Sequence, residues 1–91
     1  MKDVIHMSDK DNLVTALRDL KKGEVINIDG KSVTVTSDVP QFHKIATEEI
    51  PKGGLAYKYG EIIGRVLEDI HAGDYVHVHN LESTRGRGDQ Q

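Results

Sequence analysis

The sequence predicts a mostly β domain with one short N-terminal α-helix. Its apolar residues fall in short clusters rich in β-branched side chains, and glycine, proline or aspartate separates the clusters. Asp29-Gly30, which lies between two such clusters, is a strong signal for a β-hairpin turn. Only one segment places its apolar residues at helical spacing. The 91 residues are enough for a single small domain.

The helical segment begins with the pattern of an N-terminal capping box, because Ser8 is followed three positions later by Asp11. Three leucines then follow the helical period, and Gly23 lies where a left-handed cap would end the helix. These features predict a helix of about three turns over residues 11–21.

The remaining clusters predict short strands, with a break at Pro40 and further turns at the glycines. The predicted strands cover residues 4–7, 24–28, 32–36, 42–46, 55–59, 62–67 and 75–80. Residues 82–91 contain no apolar side chain that could be buried. We therefore assign residues 1–81 to one domain and residues 82–91 to a flexible polar tail or linker stub.

Composition excludes several classes of protein. The chain has no cysteine, which excludes disulfide frameworks, thiolate catalysis and cysteine-ligated zinc. A formal net charge of −3 without a basic stripe argues against nucleic-acid binding. No apolar run approaches the ~20 residues of a membrane helix. Residues 1–6 also lack the apolar core of a signal peptide. We therefore expect a cytoplasmic protein that binds neither nucleic acid nor membrane.

One short turn motif occurs three times in the sequence, at residues 19–24, 49–54 and 69–74. Each copy has an acidic residue, an aliphatic residue, two variable residues and a glycine, and a predicted strand follows. Glycine suits a turn that needs positive φ, and the aliphatic side chain can pack beneath the sheet. The unequal spacing of the copies excludes a solenoid of fixed period and indicates a compact β-fold that reuses one turn.

The segment Tyr75-Val76-His77-Val78-His79-Asn80 is the first candidate for chemistry. In a strand, Tyr75, His77 and His79 would share one face, with the two imidazoles roughly 6.6 Å apart at ~3.3 Å per residue. Such a pair could chelate a metal ion or bind an anionic substrate, although an exposed polar strand face gives the same pattern. A cupin barrel is excluded, because Glu82 follows too closely and too little chain remains.

Several cationic residues are candidates for binding a carboxylate. His43-Lys44 precedes an apolar strand and could bind a carboxylate and move a proton, or could simply be a solvated strand end. Lys58 lies near a predicted turn, with the same two interpretations. Arg85 and Arg87 lie among glycines in the tail, where planar guanidinium groups could bind a carboxylate or only increase solubility.

These motifs together resemble the N-terminal domain of altronate dehydratases, which belongs to the SAF group with its β-clip fold. Asp11-Asn12, the predicted helix and the Asp29-Gly30 hairpin fit the same pattern, so the resemblance covers nearly the whole chain. The residues that carry it are His43-Lys44-Ile45-Ala46, Lys58-Tyr59-Gly60, Ile63-Gly64 and His77-Val78-His79-Asn80-Leu81. The resemblance implies an SAF-type β-clip, with the one short N-terminal helix added.

The resemblance further implies the dehydration of a sugar acid such as a hexonate or hexarate, with a divalent metal, Fe²⁺ or Mn²⁺. In long family members a larger C-terminal region carries most of the active site, so this chain would be a small subunit or a separate domain. It would be inactive alone and would need a larger catalytic partner, while its exposed strand edges also favour self-association. The small subunit of (2R)-sulfolactate sulfo-lyase and a non-catalytic carbohydrate-acid-binding SAF module are the alternatives.

On this interpretation we assign roles as hypotheses. His77 and His79 would act as acid–base groups or metal ligands, although the metal could be bound mainly by the partner. The substrate-binding residues would be His43, Lys44, Lys58, Asn80, Arg85 and Arg87.

Overall fold

A computed structural model describes residues 3–83, which form nine short β-strands and no helix. The strands are β1 (Val4–Ile5), β2 (Leu13–Ala16), β3 (Val25–Ile28), β4 (Lys31–Thr34), β5 (Lys44–Ala46), β6 (Leu55–Lys58), β7 (Glu61–Val66), β8 (Tyr75–Val76) and β9 (Leu81–Ser83). They make a four-stranded sheet in the order β1-β2-β5-β8, a hairpin β3-β4 and a three-stranded sheet β6-β7-β9. Every pairing is antiparallel. The predicted β architecture is therefore confirmed.

The predicted helix over residues 11–21 is wrong, because β2 lies inside this segment as an inner strand of the four-stranded sheet. Leu13, Val14 and Ala16 are all fully buried, since other strands flank β2 and both of its faces are covered. A strand buried on both faces reads as a continuous apolar run, and periodicity cannot separate such a run from a buried helix. Within residues 3–83, no helix is long and apolar enough to cross a membrane.

The described chain contains two similar halves, in which the order strand, turn, hairpin, turn, strand occurs twice and β5 is shared. Asp29-Gly30 turns the hairpin β3-β4, as predicted, with a φ of 51° at Asp29. Thirty residues later, Tyr59-Gly60 turns the hairpin β6-β7 with a φ of 58° at Tyr59. Positive φ at both central residues is the signature of a type I′ turn, which matches the twist of the strands.

The repeated turn motif is confirmed by the backbone, and it has a fourth copy that the sequence did not reveal. Gly23, Gly53 and Gly73 all have φ between 87° and 93°. The fourth copy, residues 38–43, has Phe42 at the glycine position, with a φ of 72°. Because we searched for a glycine at this position, the substitution hid this copy, which is the second of the four turns in chain order.

The four turns pack as two pairs. Leu20 of the first turn bridges to Val39 of the second, and Ile50 of the third bridges to Ile70 of the fourth. Carboxylates strengthen both pairs by accepting hydrogen bonds from the backbone of the facing turn. These bonds are Gln41 N to Asp19, Lys22 N to Asp38 and Lys52 N to Asp69, at 2.8, 2.9 and 2.9 Å.

Two apolar clusters form the core, one for each half. The inner strands join them: Val14 and Ile45 belong to the first cluster, whereas Leu13 and Ala46 belong to the second. Ile28 in the first half and Lys58 in the second occupy equivalent positions, thirty residues apart in the sequence. Both side chains are buried, so a lysine replaces an apolar residue in the second half.

Two strand boundaries near the C-terminus differ from the sequence prediction. β8 ends at Val76, and residues 77–80 form a turn instead of continuing the strand. Glu82 and Ser83, which we assigned to the polar tail, belong to β9 and pair with β7. The rest of the predicted tail lies outside the described residues.

His6 connects β1 to both the first hairpin and the start of β2. Its Nδ1 lies 2.5 Å from the Asp29 carboxylate, and its Nε2 lies 2.8 Å from the carbonyl oxygen of Asp11. Both partners only accept hydrogen bonds, so both bonds require the protonated imidazolium. Partial burial lowers the pKa of His6, but the bonds to Asp29 and Asp11 outweigh it and the net pKa is raised.

We expect Gly73→Ala to destabilise the domain far more than Gly53→Ala. Both glycines have left-handed φ, so an alanine at either site costs about 1–2 kcal/mol. A Cβ at Gly53 meets no atom within 4 Å, whereas at Gly73 it would overlap the Thr34 carbonyl oxygen. The overlap adds about 1–3 kcal/mol or more. Urea denaturation of the two variants measures the difference, and equal free energies of unfolding would contradict the tight packing at Gly73.

We expect His6 to make stability depend on pH. Because folding raises its pKa, its contribution is fully present below the unfolded pKa of about 6.5 and is lost as pH rises through the folded pKa. The difference in melting temperature between the wild type and His6→Gln should therefore shrink above about pH 6.5. His71→Gln, which changes an exposed histidine outside the contacts of His6, serves as the control for the loss of an imidazole. A difference that is constant with pH would show that the imidazolium bonds do not form.

Candidate functional site

Four rings converge where β5 begins and β8 ends: His43, Tyr75, His77 and His79, which we call the imidazole cluster. The His43 ring lies 5.6 Å from the Tyr75 ring and 5.0 Å from the His77 ring, between ring centres. Tyr75 lies 5.7 Å from His77, nearly parallel to it, and 5.6 Å from His79. His77 and His79 are exposed, whereas His43 and Tyr75 are half-buried. Three imidazoles on one open surface can bind an anion or transfer protons.

The backbone holds His43 firmly at the start of β5. Ala16 donates a hydrogen bond to the His43 carbonyl at 2.8 Å, and Phe42 donates one to the Ala16 carbonyl at 2.7 Å. The next strand brings Tyr75 alongside, because Ile45 and Tyr75 are register partners in the β5-β8 pairing. The Tyr75 hydroxyl then lies 2.6 Å from His43 Nδ1. This bond fixes the orientation of the His43 ring and leaves its Nε2 available for chemistry.

Asn80 shapes the turn that carries His77 and His79. Its side-chain oxygen accepts a hydrogen bond from His77 N at 2.9 Å, and its side-chain nitrogen donates to the Tyr75 carbonyl at 2.8 Å. Asn80 is buried, with 3% of its surface exposed. Both ends of its amide therefore form hydrogen bonds within the turn. The role of Asn80 in substrate binding stays a prediction. The turn replaces the predicted strand face, yet both imidazoles still contact the Tyr75 ring.

Tyr75 is the member of the site that we did not assign from the sequence. The available signal was its predicted strand face, which it shares with His77 and His79. Its contact with His43 could not be found in this way, because it depends on the pairing of β5 with β8.

Lys58 lies apart from the imidazole cluster, at the other end of β2. His43 adjoins the Thr15–Lys44 register pair, whereas Lys58 lies beside Asp11, which precedes β2. Lys58 is 1% exposed, and its Nζ has no hydrogen-bond partner among residues 3–83. Burial lowers the pKa of this amine, and the negative charge of Asp11 offsets only part of that effect.

The ring of Tyr59 covers the Lys58 amine, with Nζ 4.0 Å from the ring centre. The Asp11 carboxylate is itself held by the backbone NH groups of Tyr59 and Gly60, at 2.9 and 2.7 Å. A substrate at the imidazole cluster would not touch this amine. Of the other predicted binding residues, Lys44 is half-buried in β5 next to His43, and Arg85 and Arg87 lie outside the described residues.

A cavity of about 260 Å³ adjoins Tyr75 on the side of the first pair of turns. Asp19 and Asp38 line it, together with Lys21 and the apolar residues of the two turns. Two carboxylates disfavour an anionic ligand there. The open face of the imidazole cluster is therefore the better site for an acid.

A divalent metal ion does not fit the described residues alone. Within residues 3–83, no three histidine, aspartate or glutamate side chains are placed so that they could hold one metal ion together.

Comparison with known proteins shows where this architecture occurs. Residues 2–84 match the family model of the altronate/galactarate dehydratase SAF domain. The chain is 40% identical over 83 residues to altronate dehydratase of Bacillus subtilis, covering 91% of this chain and 17% of that enzyme. It is 42% identical over 80 residues to altronate dehydratase of Escherichia coli, covering 88% of this chain and 16% of that enzyme.

A shorter relative is subunit alpha of (2R)-sulfolactate sulfo-lyase from Paracoccus pantotrophus, 36% identical over 53 residues. That match covers 58% of this chain and 79% of the subunit. The chain spans less than a fifth of the length of the two altronate dehydratases. The family match extends over all the strands and all four rings of the imidazole cluster. The chain therefore belongs to the SAF domain family of altronate and galactarate dehydratases.

Proposed function

We propose that this chain is the SAF small subunit or domain of a sugar-acid dehydratase, and that it completes an active site on a larger catalytic partner. The observation that carries the proposal is the imidazole cluster, which is preassembled but open to solvent. Enzymes place their catalytic groups in clefts that exclude water. Here the partner would cover the open face of the cluster and so complete such a cleft. The small share of the altronate dehydratases that the chain spans supports the same division.

Elimination of water next to a carboxylate needs a base for the proton α to the carboxylate and an acid for the leaving hydroxyl. His77 and His79 are exposed, and their ring centres lie 5.7 and 5.6 Å from that of Tyr75. Each could therefore exchange a proton with a substrate bound over the cluster. His43, oriented by Tyr75, and Lys44 would bind the substrate carboxylate. Arg85 and Arg87 would add carboxylate binding from the segment that follows β9.

A divalent ion such as Fe²⁺ or Mn²⁺, if the assembled enzyme uses one, would be held mainly by ligands of the partner. Such an ion would supply positive charge to the carboxylate side of the substrate during elimination. Lys58, enclosed by Tyr59 and Asp11, would reach substrate only after the hairpin β6-β7 moved. We therefore assign Lys58 to this hairpin and leave the substrate-binding role to the cluster.

A second candidate is the small subunit of a sulfolactate sulfo-lyase, which would eliminate sulfite by the same use of the cluster. The match to most of a sulfo-lyase subunit alpha favours it. The third candidate, a non-catalytic module that binds sugar acids, would use the cluster to bind the carboxylate without proton transfer.

We expect His77→Gln combined with His79→Gln to reduce turnover by the assembled enzyme by about 10²–10⁴-fold, because both proton-transfer groups are removed. The chain is co-purified with its large partner, and formation of keto acid from altronate is measured beside sulfite release from sulfolactate. His71→Gln is the matched control, since His71 is exposed on the fourth turn, outside the cluster.

The isolated 91-residue chain should form no product. Activity of the double variant at the wild-type level would refute the catalytic role of the cluster. Sulfite release without keto acid from altronate would select the second candidate, and binding without turnover would select the third.

We expect Tyr75→Phe to keep the fold and change the state of the His43 ring. Loss of the hydroxyl removes the bond to His43 Nδ1, at a cost of about 1 kcal/mol. Without it, the proton can reside on either ring nitrogen, and the ring can turn. Nitrogen-15 spectra of the His43 ring report the tautomer in the isolated chain. Because His43 is assigned to binding the substrate carboxylate, KM of the assembled enzyme should rise with little change in kcat. An unchanged tautomer distribution would show that Tyr75 does not position His43.

A further inference from the structure

Phe42 breaks the rule that the other three turns obey. Gly23, Gly53 and Gly73 occupy the left-handed position in their turns, but the second turn places a phenylalanine there, at a φ of 72°. For a bulky side chain this conformation is an outlier, because the Cβ crowds the following carbonyl. The backbone is held in it by the hydrogen bond from Phe42 N to the Ala16 carbonyl.

Burial within the domain does not compensate for this strain. The Phe42 side chain is 67% exposed, so it contributes little to the apolar core. Strained positions persist where the surrounding structure enforces them, and they gather at binding and catalytic sites. Phe42 fits that description, because it directly precedes His43 of the imidazole cluster.

A second exposed apolar side chain belongs to the turn that carries His77 and His79. Val78 is 77% exposed and stands between His77 and His79 in the turn that Asn80 shapes. Phe42 and Val78 are thus both adjacent in sequence to histidines of the cluster, and we call these two exposed side chains the apolar rim. Aromatic side chains are enriched at protein–protein interfaces, and the contacts around such anchors exclude water.

We propose that Phe42, with Val78, is the anchor by which this domain docks on the catalytic chain of the dehydratase, sealing the imidazole cluster from water. This inference rests on the proposed function and names the surface that carries it. The relatives supply the occupant, since the altronate dehydratases carry more than four fifths of their length outside this domain and the sulfo-lyase relative is one subunit of an enzyme.

Two other occupants fit the rim less well. A sugar acid is a polyhydroxylated anion, and an exposed phenyl ring offers it neither charge nor hydrogen bonds. A second copy of this chain, docked rim to rim, would bring the Lys44 residues of both copies towards each other, and their like charges would repel. The rim is matched instead by a protein surface with an apolar pocket and acidic surroundings.

The test uses two variants that both lack the ring but differ in strain. The dehydratase or sulfo-lyase catalytic chain that co-purifies with the wild type is identified by mass spectrometry, purified and titrated with each variant by calorimetry. We expect Phe42→Ala and Phe42→Gly each to weaken binding by roughly tenfold or more. Phe42→Gly should also melt on the order of 5 °C above Phe42→Ala, because only glycine relieves the left-handed backbone.

Val25→Ala is the matched control, since Val25 is 64% exposed on β3, outside the rim, and its truncation should leave binding unchanged. Unweakened binding by Phe42→Ala would refute the anchor while leaving the proposed function in place. A wild-type chain that binds no catalytic chain would overturn the proposed function itself. Loss of self-association alone in Phe42→Ala would identify a second copy as the occupant and overturn the proposal. Equal melting temperatures of the two variants would refute the strain on which it rests.

Discussion

The pairing of turns is the constraint on which the rest of this small structure depends. Leu20 with Val39, and Ile50 with Ile70, join turns that are distant in sequence, and carboxylates of one turn hold the backbone of the other. Each pair covers an end of the core, so strands of two to six residues suffice elsewhere. Because the second and fourth turns lead directly into β5 and β8, their placement also sets the neighbouring positions of His43 and Tyr75. The site is thus fixed by packing at the ends of the sheet more than by the two residues of β8.

The sequence predicted much of this fold because its turns carry strong local signals. Glycine at the fifth position marked three turns, and Asp29-Gly30 marked a hairpin, since few residues tolerate positive φ. Phe42 hid the second turn, because tertiary hydrogen bonds impose a conformation there that its own preference opposes. The helix was wrong for the converse reason. The segment around Leu13 is buried on both faces, so its apolar residues do not alternate as they do in a half-exposed strand. Their spacing then fits a helix as well as a strand.

The site was predicted in parts but not as a whole. His77 and His79 were linked by spacing and His43 was singled out separately, yet their meeting depends on the order β2-β5-β8, which no local pattern encodes. For the same reason the sequence could not separate Lys58 from the cluster. Lys58 was predicted to bind substrate or to be solvated near a turn, whereas the hairpin buries it at the position that Ile28 holds in the first half. The replacement of a buried isoleucine by a buried lysine becomes visible only when the two halves are superposed in the structure.

The two halves of the domain differ in what they contribute, and the difference indicates what a partner would have to supply. The first half buries Ile28 and Val33 and includes most of the larger apolar cluster, so it is built mainly for stability. The second half replaces Ile28 with Lys58, and its last strand and turn carry Tyr75, His77 and His79. A small domain can hold rings at fixed distances, because paired turns and a shared strand leave them little freedom. It has too little surface to surround a substrate as well. Electrostatic interactions with a substrate become stronger when water is excluded. An open but rigid cluster would therefore bind and stabilise charge better once another chain covers it.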